Sequence, residues 1–264
     1  MTPHFGAEIQ VEDLSQPIDD ELAQELRQAL LEWKVIAFRD QHNFDTASHL
    51  ALATVWGEPQ PNPFVFNGET IRVSRWTRDA EEIGRENNWH SDQTFTTTPS
   101  RASVLRSIEV PPVGGDTMFA DMGAAYDNLT DEMKLRIEGL TAVHDWEPLN
   151  GPFMTREEIT YMRNKHPAVE HPVVIQHPLT GRKILYVNES YTIRILGMSE
   201  NESRKLLHEL GLQARVPEYQ VRFHWQRNSI VIWDNVALQH YAVNDYYPQR
   251  RTMECVTIAG GPLS

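Results

Sequence analysis

The chain has 264 residues, 40% of them hydrophobic and 23% charged, with a formal net charge of −13. That length allows one large domain with a real core, and no apolar run approaches the roughly 18 residues that span a bilayer. An acidic chain repels phosphate backbones and anionic lipids, so neither nucleic acid nor a membrane is an expected partner.

Met1-Thr2-Pro3-His4-Phe5 lacks the basic segment and apolar run of a signal peptide. The single cysteine, Cys255, leaves no intrachain disulfide and suits a reducing compartment, which makes the protein an expected cytoplasmic one.

Residues 1–17 read as an extended arm or first strand. Ile18, Leu22, Leu26, Leu30 and Trp33 then recur on one helical face, beginning near Pro17-Ile18-Asp19. Val35–Phe38 reads as a short apolar strand. A second helix runs from Asp45, an N-cap, to Trp56, and Gly57 stops it. Residues 58–86 form an irregular insertion: the alternating prolines Pro59, Pro61 and Pro63 exclude helix, Ile71–Arg75 reads as a strand, and Thr77–Glu86 reads as a polar loop. A connection of that length is more often functional than neutral.

Ala102–Ile108 and Thr117–Ala120 read as strands on either side of the turn Pro111–Asp116. Helices are expected near Ala124–Leu129 and from Thr130 to Gly139. Residues 145–171 read as a second insertion, with a helix opened by the capping-box pair Thr155 and Glu158. Pro172–Gln176 and Ile184–Asn188 bracket a hairpin turn. Ser199 and Glu202 cap a helix that runs through Leu212. Ser229–Trp233 and Arg251–Ile258 read as the last strands. Short strands with Gly/Pro turns and few helices, without βαβ alternation, predict a mainly β fold with flanking helices, a sandwich or barrel, in one domain over residues 1–264.

The chemistry gathers at Asn87–Phe95. On an extended strand His90 and Asp92 share a face and can place an imidazole nitrogen and a carboxylate oxygen on one metal. His240, just past the apolar strand that ends at Trp233, is the candidate third ligand. Two histidines and one carboxylate leave open positions for a bidentate 2-oxo acid and O2, as in non-haem Fe(II) oxygenases. The distal carboxylate of such an acid needs a cation on a rigid strand, and Arg251, eleven residues after His240, is placed for it; the Thr117 hydroxyl could add a hydrogen bond.

Taken in order, Trp89–Phe95, Pro112–Thr117, Tyr186–Asn188, Ile232–Asn235, Gln239–Ala242 and Tyr246–Arg251 resemble the taurine dioxygenase (TauD/TfdA-like) family of Fe(II)- and 2-oxoglutarate-dependent dioxygenases over nearly the whole chain. The resemblance implies a double-stranded β-helix, or jelly-roll barrel. It implies His90, Asp92 and His240 as Fe(II) ligands, Thr117 and Arg251 as the 2-oxoglutarate carboxylate site, O2 as co-substrate, and a homodimer or homotetramer. It implies hydroxylation of an aliphatic C–H with release of succinate and CO2.

The pattern departs at two anion contacts, one of them the family's histidine in the Pro-rich segment after the second helix, where Asn62 is the nearest residue. The family's sulfonate-binding arginine lies four residues after the 2-oxoglutarate arginine, and here that position is Cys255. A neutral thiol cannot replace a guanidinium, which argues against taurine and, less strongly, against alkyl sulfates. The expected substrate is a small organic acid or amino-acid-like molecule, with Asn62, Phe64, Phe66, Arg75, Asn88, Tyr191, Arg194 and Cys255 as candidate contacts. A sulfonate or alkyl-sulfate dioxygenase, a zinc hydrolase on the same triad, and a binding protein without turnover are the alternatives. The other histidines are expected to be structural, and Trp225 to be core.

Overall fold

A computed structural model describes residues 1–66 and 69–263. Its strands are, in chain order, β1 Ala7–Glu8, β2 Val35–Phe38, β3 Ser74–Arg78, β4 Ala102–Glu109, β5 Thr117–Asp121, β6 Thr141–His144, β7 Val169–Pro172, β8 Val174–Gln176, β9 Lys183–Leu185, β10 Thr192–Ile195, β11 Gln220–Phe223, β12 Ile230–Asp234, β13 Leu238–Ala242 and β14 Arg251–Ile258. Its α-helices are α1 Asp20–Trp33, α2 Thr46–Ala53, α3 Met122–Asp127, α4 Asp131–Ile137, α5 Glu147–Asn150, α6 Arg156–Lys165 and α7 Glu200–Gly211. The protein is therefore mostly β with helices around it.

Six strands form one sheet in the order β1-β2-β12-β4-β14-β3, and β11-β5-β13 form a second of three. Alternation along the strands places the two sheets face to face. Val231 and Trp233 of β12, Val35 and Ala37 of β2, and Met253 of β14 pack with Phe119, Val221, Phe223 and Leu238 of the smaller sheet. The intervening residues Ile230, Ile232, Ile36, Phe38, Val256 and Ile258 face the other way and meet Leu26 and Leu30 of α1 and Leu52 of α2. A strand whose two faces are both buried reads as a continuous apolar run, which is why β2 is apolar throughout and β12 is apolar up to its last residue, Asp234.

Local signals set the helix ends. Asp19 caps α1 by accepting from the Leu22 amide at 2.8 Å, and Lys34 closes it with φ 64°. Asp45 caps α2. Thr155–Glu158 and Ser199–Glu202 both form the reciprocal capping box. The hairpin around Pro178–Gly181 is β8 paired antiparallel with β9.

Three expectations need correction. The strand expected at Ile71–Arg75 is displaced to Ser74–Arg78, and Thr77 and Arg78 are paired rather than looped. Its register comes from its partner: β3 is an edge strand whose residues lie opposite Arg251–Cys255 of β14, so its own apolar pattern does not decide where it begins. The second expected insertion, 145–171, ends too late, because β7 pairs with β6 and carries the buried His171. The strands β6, β10, β11 and β13 are only four or five residues long, too short for alternation to separate them from loop.

Candidate active site

His90, Asp92 and His240 offer ligand atoms that all lie within 4.8 Å of one another. The geometry differs from an extended H-x-D strand. His90 makes only a single bridge to His240, through His90 N to His240 O at 3.1 Å and His240 N to His90 O at 2.7 Å. The chain then turns over residues 92–95, with Gln93 in the left-handed region at φ 55°. Asp92 meets the imidazoles because the backbone folds back, and remote residues hold that turn. Ser91 Oγ donates to Leu238 O at 2.7 Å, and the Asp92 amide donates to Asn235 Oδ1 at 3.3 Å. His171 Nε2 lies 2.9 Å from Thr94 O, and His144 Nδ1 lies 3.0 Å from Thr94 Oγ1.

His90 and Asp92 are each oriented by a hydrogen bond at the far end, whereas His240 Nδ1 is buried without a partner among the described residues. Asn88 O lies 2.7 Å from His90 Nδ1, so that nitrogen donates to the carbonyl and Nε2 is the one turned toward the other ligands. Ser103 Oγ donates to Asp92 Oδ2 at 2.6 Å, so Oδ1 faces the imidazoles, 3.9 Å from His90 Nε2 and 3.7 Å from His240 Nε2. Asn235 Nδ2 donates in turn to Ser103 Oγ at 2.8 Å. Burial pushes Asp92 up, but His240 and His90, with Ser103 and Asn235, outweigh it and the carboxyl sits below its usual range. Burial, reinforced by His90 and opposed by Asp92, holds His240 down at about 3. The trio thus presents two imidazole nitrogens and one carboxylate oxygen, and that donor set fits a divalent transition metal with positions left open.

Thr117 and Arg251 line the same small cavity, of about 110 Å³, as the three ligands. Trp225 Nε1 donates to Thr117 Oγ1 at 2.9 Å. The hydroxyl oxygen is occupied as an acceptor there, which leaves its O–H to donate to an anion. Arg251 donates from Nε to Gly115 O at 3.1 Å, whereas its Nη2 is buried without a partner. A buried guanidinium nitrogen without an acceptor costs free energy unless a ligand supplies one. The Gly114-Gly115 turn makes the approach feasible. Gly115 has φ +69°, and a Cβ there would lie 3.2 Å from both Arg251 Cδ and Tyr246 Cδ1. Gly115→Ala is expected to destabilise the fold by about 1–3 kcal/mol through left-handed strain and to disturb Arg251, read as a lower Tm and a higher KM for the oxo acid.

Two larger cavities open outward from the ligands. One, of about 390 Å³, is lined by Asn62, Phe64, Tyr191 and Cys255 among others, and the second, of about 310 Å³, by Phe64, Phe66, Phe153 and Tyr191. His90 lines both. Asn62, Phe64, Phe66, Tyr191 and Cys255 are therefore brought to the ligands. Burial pushes the Cys255 thiol well up, and the Asp92 charge adds to it, so it stays neutral.

The remaining three expected contacts are placed otherwise. Arg75 touches the rim of one outer cavity, but its guanidinium is 2.7 Å from Glu254, whose own oxygen reaches Thr46 of α2 on the far side of the sheet. Asn88 turns its side chain to Arg85 O at 3.2 Å and serves through its carbonyl. Arg194 sits on β10 in a separate groove with Glu200, Arg204 and His208. Trp225 is core, as expected, and also reaches Thr117. Arg78 and Glu86, which line all three cavities around His90, were missed because both lie where the sequence reads as polar loop.

His144 contributes a pH dependence. Burial, with His171 adding to it, holds its imidazole down at about 3 against an ordinary 6.5. As pH falls below 6.5 the unfolded chain takes up this proton and the native one does not until about 3, so stability falls across that window. Between pH 7 and pH 5 the native protein is expected to lose about 2 kcal/mol more than His144→Gln, measured as the difference in their denaturation curves.

An open-sided His/Asp/His metal site beside a buried arginine defines a class of oxygen-activating enzyme, and the comparisons give its family. The model of the taurine catabolism dioxygenase TauD, TfdA family matches residues 1–257, and the chain belongs to that family. It is 37% identical over 267 residues to an alkylsulfatase of Acinetobacter baylyi, covering 98% of this chain and 84% of that one. It is 35% identical to an alpha-ketoglutarate-dependent sulfate ester dioxygenase of Pseudomonas putida, covering 97% and 87%. The crystal structure of AAD-2 with Mn(II) and N-oxalylglycine superposes with a TM-score of 0.85 at 31% identity, covering 100% and 97%. The protein is a 2-oxoglutarate-dependent dioxygenase that uses Fe(II) and O2. Family membership sets the zinc hydrolase and the turnover-free binding protein aside; the ligand set alone did not. No helix among the described residues is long and apolar enough to cross a membrane.

Proposed function

We propose that His90, Asp92 and His240 hold Fe(II), that Arg251 and Thr117 hold the distal carboxylate of 2-oxoglutarate, and that the enzyme hydroxylates an aliphatic C–H of a small organic acid. The observation that carries the reading is the shared cavity, where the three ligand atoms, the free Thr117 O–H and the unpartnered Arg251 Nη2 converge. Fe(II) bound there supplies, with 2-oxoglutarate and O2, the oxidation of an unactivated C–H bond, with succinate and CO2 released. The chain's own residues orient and exclude. Ser103 and Asn88 fix the ligand atoms, Arg251 draws the co-substrate to one end of the cavity, and Phe64, Phe66 and Tyr191 present an apolar wall to the substrate's carbon body. We read the two facing sheets as the double-stranded β-helix of the family, one catalytic domain spanning the chain.

The neutral Cys255 beside the ligands is the reason for preferring a substrate other than taurine. A sulfate ester is the second reading, favoured by what the two curated relatives are named for. Succinate release over carboxylates, aryloxy acids, alkyl sulfates, sulfonates and amino acids tests both. Hydroxylation of the carbon bearing a sulfate ester also frees inorganic sulfate as the product collapses to an aldehyde, which separates the two readings directly. Efficient turnover of taurine would overturn the argument from Cys255.

A further inference from the structure

We propose that Arg78 is the residue that binds the anionic group of the prime substrate, and that Glu86 is a displaceable internal counter-ion occupying its place. The proposal deepens the function above and rests on its reading that the substrate is an organic anion.

Arg78 is the last residue of β3 and lies directly opposite Arg251 on β14, so the two side chains share a face and both line the inner cavity. Two like charges directly opposite one another on a sheet repel, and a fold does not keep such a pair without an anion to serve it. Arg251 is assigned to 2-oxoglutarate. Arg78 is served within the chain by Glu82 and Glu86, and the form of those contacts leaves room for a ligand.

Its hydrogen bonds show a half-filled fork. Nη1 donates to Glu82 Oε1 at 2.7 Å and Nη2 donates to Glu86 Oε1 at 2.6 Å, whereas Nε is buried with no partner. The Nε/Nη2 edge of a guanidinium is one that carboxylates and sulfates engage with two parallel bonds. Here Glu86 holds only one of the two donors. Both carboxylate partners belong to the single segment 79–86, and their side chains are 72% and 40% exposed, against 19% for Arg78. Glu82 is solvent-exposed and Glu86 partly so, and to leave Arg78 Glu86 turns toward water together with the Arg85 amide, from which it accepts at 2.8 Å. An incoming anion that fills both Nε and Nη2 makes two bonds where Glu86 makes one, and can displace it.

The position also suits the chemistry. Arg78 lines the inner cavity and both outer ones, as does His90. An anionic head on Arg78 would leave its carbon body to extend between the metal ligands and the Phe64, Phe66 and Tyr191 wall. Ile83, 59% exposed on the same segment as Glu82 and Glu86, and Phe153, 58% exposed, flank the mouth of that cavity and would cover an apolar body. Arg78 thus supplies the positive charge that Cys255 does not.

Steady-state succinate formation with hexyl sulfate, phenoxyacetate and the uncharged phenoxyethanol as probes tests the assignment. Arg78→Gln is expected to raise KM for the anionic probe that the native enzyme turns over by about tenfold or more, with KM for 2-oxoglutarate changed by less than about twofold. Turnover of phenoxyethanol, where it occurs, should be insensitive to the change. Arg78→Lys keeps the charge without the fork and falls between. Glu86→Gln removes the competitor and lowers KM for the anion. The proposal is overturned by an unchanged KM in Arg78→Gln, by a rise in KM for 2-oxoglutarate instead, or by a Glu86→Gln enzyme whose KM for the anion rises. Should Arg78→Gln fail to fold, Arg78→Lys and Glu86→Gln decide by the same criteria. Absence of turnover with every anionic compound would sink the anionic-substrate reading itself, whereas turnover indifferent to Arg78 sinks this proposal alone.

Discussion

Asp92→Ala will lose Fe(II) binding and succinate formation together. In the proposed site Asp92 is the one anionic ligand, its Oδ1 lying 3.9 Å and 3.7 Å from the two imidazole nitrogens. Removing it leaves two imidazole nitrogens and no anionic ligand to compensate a divalent ion in a buried cavity. Loss of an outer-sphere partner costs about 10- to 100-fold in metal affinity or activity, and loss of the carboxylate itself is expected to exceed the upper end of that range. Ser103→Ala supplies the comparison, because it removes only the 2.6 Å hydrogen bond to Oδ2. It should fall within the outer-sphere range and keep measurable turnover. Iron content after anaerobic loading, and the weak visible band of the enzyme with Fe(II) and 2-oxoglutarate, report binding independently of activity. An Asp92→Ala enzyme that retained full iron and turnover would show that the carboxylate ligand had been misassigned.

The contrast between Asp92 and its surroundings explains how far the sequence could be read. The residue types were visible: two histidines, a carboxylate, a later arginine and a threonine in an order that carries a family resemblance. The conformation at His90–Asp92 was not. Period-two reasoning makes that segment a strand, and the protein instead turns there. The cause lies in Asn235, His144 and His171, which reach the turn from 143, 50 and 77 residues away in sequence. No local pattern encodes contacts of that separation.

The substrate side was legible only in part, for a related reason. Phe64 and Tyr191 lie in irregular stretches flanking the motif, and aromatic side chains there have few places to go but the cavity. Arg194 and Asn88 were chosen by position alone, and position does not say which way a side chain turns on a short strand or in a loop. Arg78 was passed over because β3 is an edge strand made of Ser, Arg, Trp, Thr and Arg. Its strand character comes from the ladder with β14 and not from its own composition, so the pairing that sets it opposite Arg251 had no signature in the chain. The helices, in contrast, were read well, since Asp19, Asp45, Thr155 and Ser199 cap their own helices within a few residues.

Arg251→Gln is the companion test at the other end of the cavity. Arg251 is 5% exposed, holds Gly115 O through Nε and keeps Nη2 free. A charge-assisted bond to a carboxylate is worth more than a neutral one, and a buried fork more again, so the variant is expected to bind 2-oxoglutarate about 100-fold more weakly. Arg251→Lys keeps a positive charge but cannot both donate to Gly115 and present a planar fork, and should sit roughly tenfold from the native enzyme. Thr117→Ala, which removes a single hydroxyl, should cost several-fold, about the worth of one hydrogen bond. Thermal denaturation of each variant separates lost binding from lost fold. The decisive comparison is with Arg78, the neighbour directly opposite on β3. If Arg251→Gln raises KM for 2-oxoglutarate and Arg78→Gln raises it for the prime substrate, the two guanidiniums divide the anions between them. If the effects are reversed, 2-oxoglutarate enters on the β3 side of the ladder, and the roles given to Arg251 and Arg78 must be exchanged.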